Sequence, residues 1–132
     1  MHSAMVTIAA AAFVLLAALL ALFQLALVAG APLGHLTQGG THPGRLPPAN
    51  RAVAGVSALL AAAFVGIVLT RVGWVAPERQ AAARLWVWGV VDLSALSLLA
   101  NAASRSRAER ALWVPVAMLM LATSLVVALS GA

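Results

Sequence analysis

The chain has 132 residues, enough for one domain, and 64% of them are hydrophobic while only 8% are charged. Such a composition excludes an ordinary soluble domain, whose helices need polar faces, and makes lipid the solvent that fits. The net charge of +5 comes from eight arginines against three acids, with no lysine and no cysteine. The arginines stand one to three at a time between apolar segments, where they orient helices and meet head groups, so a nucleic-acid partner is not expected. Without cysteine, disulfides, thiolate metal sites and cysteine nucleophiles are excluded.

The first apolar stretch, about residues 4–29, carries Gln24 as its one strongly polar side chain and exceeds the roughly 20 residues that cross a hydrocarbon core. A cleaved signal peptide is the competing reading, since Ala29-Gly30-Ala31 imitates a cleavage site; the run is too long and its Met1-His2-Ser3 start lacks a cation. Residues 30–47 then form a loop crowded with Gly30, Gly34, Gly39, Gly40, Gly44 and Pro32, Pro43, Pro47. These glycines make neither a Walker A nor a dinucleotide fingerprint, and are read as a tightly folded cap or a shielded re-entrant hairpin. His35 and His42 supply too few ligands for zinc, and no metal or other cofactor is expected.

A second span, about 48–70, opens on Pro48 and carries Ala54, Ala58, Ala62 and Gly66 at every fourth position, a stripe that nominates a helix-packing face. The third, about 84–102, is the least apolar, with Asp92, Ser94, Ser97 and Asn101. Ser106 through Glu109 reads as a capping box, with the serine accepting from the Glu109 amide and the glutamate reaching back to the Ser106 amide. The fourth span follows at about 107–130, and Pro115 in its third turn is expected to bend it.

The fold class is therefore an all-α membrane protein, an antiparallel bundle of four transmembrane helices in a single domain. Five arginines in the first and third loops against three in the second place those two loops in the cytoplasm and both termini outside. Trp74, Trp86, Trp88 and Trp113 fall near span ends and are read as head-group anchors.

An ionisable group inside a span is costly and usually faces the bundle interior. Asp92 is such a group; counting depth from the outer ends of the third and fourth spans brings it level with Thr123 and Ser124, whose hydroxyls could hydrogen-bond it. It either handles a proton or cation or, protonated, serves packing. The same count sets Gln24 level with Asn101 as an interhelical amide pair. No acyl-transfer constellation can be assembled, and an enzyme is not expected.

Gly30-Ala31-Pro32-Leu33-Gly34 after Gln24, then Gly39-Gly40, Leu46-Pro47-Pro48 with Arg51, and Asn101, Ser104 through Arg107 and Glu109-Arg110 form one pattern. It resembles an uncharacterised family of small bacterial four-span integral membrane proteins over nearly the whole chain, whose members often carry Trp where Leu33 stands. The resemblance implies the fold and a bacterial inner-membrane location, gives no reaction, substrate or cofactor, and does not include Asp92. In length and span count the chain also resembles the small multidrug exporters, but their coupling glutamate lies in the first helix, which here has no acid. The function expected is that of an accessory or interaction protein in contact with membrane lipid and with a second copy or another membrane protein; the alternative is a small proton-coupled transporter working as a dimer.

Overall fold

The computed structural model describes residues 3–130, and over these the chain is a bundle of four helices: α1 (Ala4–Val28), α2 (Pro48–Arg71), α3 (Gln80–Ala102) and α4 (Arg107–Leu129). All four are long and apolar enough to cross a membrane, and no strand occurs among the described residues. The all-α four-helix membrane fold is thus as expected, and its boundaries follow from local chemistry. Ser3 caps α1 by accepting from the Val6 amide at 3.2 Å. α1 ends in a Schellman turn: Ala31 N–H bonds the Ala26 carbonyl, Gly30 N–H bonds the Leu27 carbonyl, and Gly30 takes φ +98°. Gly73, at φ +79°, closes α2 in the same way. α2 begins at Pro48, where the missing N–H costs nothing.

Two expectations are adjusted. α3 begins at Gln80 rather than near Arg84, because a 3₁₀ turn at Pro77–Arg79 leads straight into an alanine-rich first turn. The capping box at α4 is half formed: Ser106 Oγ accepts from the Glu109 amide at 3.1 Å, but the Ser106 amide donates to Ser104 Oγ, also at 3.1 Å. The Glu109 carboxylate is thereby released for other contacts. α4 runs through Pro115 as one helix.

α1 packs most extensively on α2 and α3 on α4; the α1–α4 contact is smaller and the α2–α3 contact smaller again. The buried face of α2 carries Ala54, Ala58, Ala61 and Val68. Ala62 and Gly66 of the nominated stripe are exposed instead, since a four-residue step overshoots a 3.6-residue turn by about 40°.

The packed core lies in the half of the bundle that holds the described termini, hereafter the terminal half. There Val6, Ala9, Ala10, Phe13 and Ala17 of α1 meet Val68, Val87, Val90, Val91, Met120 and Val127. Arg71 ends α2 on this side with only 1% of its surface exposed. Its Nη2 donates to the Ser130 carbonyl at 2.9 Å, and its own carbonyl accepts from Gln80 Nε2. Trp74, Trp86 and Trp88 are exposed on the same side, as head-group anchors would be.

A candidate functional site beneath the first loop

The opposite half is organised by the loop between α1 and α2. Residues 34–36 and 38–40 form two short 3₁₀ turns, and Gln38, Gly39 and Gly40 all have positive φ. Gly34 lies where the loop crosses itself: its amide donates to the Gly44 carbonyl at 2.8 Å, and a Cβ on it would stand 1.8 Å from the His42 carbonyl oxygen. Only glycine allows that approach. Leu46 and the flanking Leu33 pack with Leu27 and Ala54 in a small apolar cluster under the loop.

Every polar tie from the loop to the last helix lands on one face of α4. Ser106 Oγ donates to the His35 carbonyl, Trp113 Nε1 donates to the Leu36 carbonyl at 2.8 Å, and Glu109 Oε2 accepts from the Gly39 amide at 3.3 Å. Positions 106, 109 and 113 are separated by three and four residues and so share a helix face. Gly40 packs against Ser106 so closely that a Cβ would lie 2.7 Å from the serine Cβ. The two segments singled out in the sequence, Gly30 to Arg51 and Asn101 to Arg110, are thus in contact.

On the α1–α2 side, Arg51 Nε and Nη2 both donate to the Val28 carbonyl, at 2.9 and 2.6 Å, placing a cation on the C-terminus of α1. Asn50 Nδ2 donates to Gln38 Oε1 at 2.7 Å while Gln38 Nε2 donates to the Asn50 carbonyl at 2.9 Å. Arg110 Nη1 donates to the Ser104 carbonyl, so this arginine fastens the turn between α3 and α4. Pro47 is the N-cap of α2, Pro32 is exposed at the loop surface, and Gly30 carries the Schellman turn with the Arg45 guanidinium against it. These residues shape the end of the bundle.

Beneath the loop lies a cleft of about 500 Å³ to which all four helices contribute lining residues. Its polar end carries Gln24, Asn101, Glu109 and the Trp113 ring, and its apolar length runs past Leu20, Phe64 and Met120. Leu60 of α2 and Leu93 and Leu96 of α3, all exposed, stand at the mouth. Glu109 is 5% exposed, and its carboxylate has no cationic partner among the described residues; the Gly39 amide is its one contact. Gln24 Oε1 is buried without a hydrogen bond. Ser94 Oγ is likewise buried and unbonded, and lines a separate small cavity beside Phe64 and Met120. Two polar groups, Glu109 and Gln24, therefore line one space with hydrogen-bonding capacity to spare, an arrangement that folded proteins rarely leave unused.

The expected Gln24–Asn101 pair is not made, although both residues line the cleft: Asn101 Nδ2 turns back to the Ser97 carbonyl and hydroxyl of its own helix, at 2.8 and 3.3 Å. Asp92 departs further from expectation. It is exposed on the outer face of α3, while Thr123 bonds the Leu119 and Met120 carbonyls and Ser124 bonds the Leu121 carbonyl. The direction around the helix, set by Val87, Val90, Val91 and Ser94 turning inward, was not readable from the chain. Trp113 likewise is no lipid-facing anchor, because its ring packs on Phe23 with centroids 4.8 Å apart and its N–H is used by the loop.

Comparison of the chain with protein-family models, curated proteins and solved structures finds no match. The cleft itself must therefore carry the functional reading. Among its lining residues, Phe64, Trp113 and Gln38 lay outside the sequence-derived candidates.

Proposed function

We propose that the chain is a small polytopic accessory protein of the bacterial inner membrane that holds an amphipathic, ammonium-bearing molecule in the cleft under its first loop. The observation that carries this reading is the Glu109 carboxylate, buried at the polar end of an apolar cleft without a cation. A buried charge is stable when paired, and here the neighbouring unbonded groups specify the pair. Glu109 and the orphan Gln24 Oε1 both accept, so the complementary head group donates. The Trp113 ring beside them offers a face to a cation. Leu20, Leu60, Phe64 and Leu93 then receive the hydrocarbon tail, which enters from lipid through the gap between α2 and α3. The arginine count supports an orientation with the loop in the cytoplasm and the termini outside.

The test is titration of a long-chain primary ammonium amphiphile and of the matching alkyl sulfate into the protein in lipid nanodiscs. Glu109→Gln, which keeps the shape and an acceptor for the Gly39 amide, is expected to weaken ammonium binding about tenfold or more, the worth of one charge-assisted hydrogen bond, and to leave sulfate binding unchanged. Equal ammonium binding by both proteins would reduce Glu109 to a clasp for the loop and end the proposal. The rival reading, a small proton-coupled transporter working as a dimer, draws support from the same carboxylate, since an acid in the ligand cleft could exchange a proton for a cation. Uphill movement of the ammonium probe in proteoliposomes under a proton gradient, lost in Glu109→Gln, would favour it.

A further inference from the structure

A hydroxyl in a membrane helix commonly bonds a carbonyl of its own helix. Ser57, Thr70, Thr123 and Ser124 all do so here, to carbonyls three or four residues back. Ser94 of α3 does not: it is 3% exposed, and its Oγ has no hydrogen-bond partner. The hydroxyl stands instead at a cavity of about 40 Å³, whose other walls are Leu20, Phe64, Ser97, Ala117 and Met120. That is room for a water-sized group and far too little for a ring. A buried hydroxyl is costly until it is bonded, so the cavity suits a small polar partner.

The cavity is separate from the large cleft but shares a wall with it, since Leu20, Phe64, Ser97, Ala117 and Met120 line both. Met120 is the most adaptable part of that wall, being unbranched and free to turn about three bonds. Ser94, Ser97 and Asn101 follow one another at steps of three and four and so share a face of α3. Asn101 lies at the polar end of the cleft, and Ser94 is seven residues away, about 10 Å along the helix. Between them, Ser97 Oγ already accepts from Asn101 Nδ2. Ser94 is the member of this polar stripe whose bonding capacity is unspent.

We infer that Ser94 is a second recognition point of the cleft, where the tail of the bound amphiphile presents a terminal hydroxyl. This rests on the ammonium reading above and narrows it to an unbranched amino-alcohol with its two polar ends about 10 Å apart. Met120 turns aside, the cavity joins the cleft, and the ligand hydroxyl pairs with Ser94 Oγ, each able to donate and to accept. The chain between them, about eight carbons when extended, lies against Leu20 and Phe64. The size of the cavity excludes a branched or cyclic end.

The experiment titrates a linear amino-alcohol of about eight carbons, and the plain alkylammonium of equal length, into the full chain in lipid nanodiscs. Ser94→Ala is expected to shift the ratio of the two affinities about fivefold to tenfold against the amino-alcohol, the worth of one buried hydrogen bond. Glu109→Gln should weaken both compounds alike. A ratio that is the same in wild type and Ser94→Ala, with Glu109 still required, overturns the inference and leaves the ammonium reading standing. Binding that needs Ser94 but ignores Glu109 supports the hydroxyl site and ends the ammonium reading. Binding of neither compound overturns both. Without ligand, Ser94→Ala should melt no lower than wild type, because it removes a hydroxyl that bonds nothing. A lower midpoint would show that the hydroxyl is already bonded within the protein, and would also overturn the inference.

Discussion

In the terminal half, apolar side chains from all four helices close on one another and a single guanidinium, Arg71, reaches across to the Ser130 carbonyl. In the loop-capped half the apolar cluster shrinks to Leu27, Leu46 and Ala54 with their neighbours, the loop carbonyls of His35 and Leu36 accept from the Ser106 and Trp113 side chains, and Gln38 Nε2 of the loop donates to the Asn50 carbonyl of α2. Both halves are stable arrangements in lipid, where packing and internal hydrogen bonds replace the hydrophobic drive. The difference is in what is left over. Tight packing consumes its space, although Arg71 Nε and Nη1 stay buried and unbonded there, whereas a bundle end closed by a loop keeps a cleft lined by Glu109 and by Gln24, whose Oε1 is unbonded.

The comparison can be broken most directly at Gly34. Gly34→Ala forces a Cβ into the His42 carbonyl and is expected to destabilise the protein by about 3 kcal/mol, read as a lowered thermal midpoint in detergent and poor accumulation in membranes. A wild-type midpoint would mean that the loop is not packed as described. Next come the two arginines, one from each half. Arg51→Ala removes two charge-assisted bonds to Val28 and Arg71→Ala removes one to Ser130 together with a buried stem; each should cost about 2 kcal/mol by the same assay. An Arg71 cost several times the Arg51 cost would show that the packed half relies on its cation far more than the loop-capped half does. Trp113→Phe keeps the ring on Phe23 and deletes the bond to Leu36, for a loss of about 1 kcal/mol and a loop amide at position 39 that exchanges hydrogen faster. Smallest is Asn101→Ala, within about 0.5 kcal/mol, because its amide serves only its own helix. A larger loss would restore it as a tie between helices.

The spans were legible because hydropathy and length alone define them in a membrane, and the helix start at Pro48 and the cap at Ser106 were legible because their chemistry is local. What lies around a helix was less so. The stripe from Ala54 to Gly66 began on the buried face and drifted off it, turning by about 120° over its three steps. Asp92 was expected to face the bundle interior and instead lies exposed, since direction depends on which neighbours pack first. The Ser106–Glu109 motif could bond in two ways, and only the arrival of Gly39 beside α4 selects between them. The Gln38–Asn50 pair had no sequence signal, being a meeting of a mid-loop amide with one in the first turn of α2, twelve residues apart.

The ties between the first loop and α4 span 70 to 77 residues of chain. During synthesis, α1, the loop and α2 are complete long before Ser106, Glu109 and Trp113 exist, and the contacts that define the loop's shape are among the last the chain can make. Arg51 can close the α1–α2 hairpin early, but the carbonyls of His35 and Leu36 wait in water at the membrane surface until the fourth helix is inserted. The roof of the cleft is therefore a checkpoint on assembly: it forms only around a complete set of spans, and a chain that stalls after α3 presents an unclosed loop that differs in shape and protease sensitivity from the finished protein.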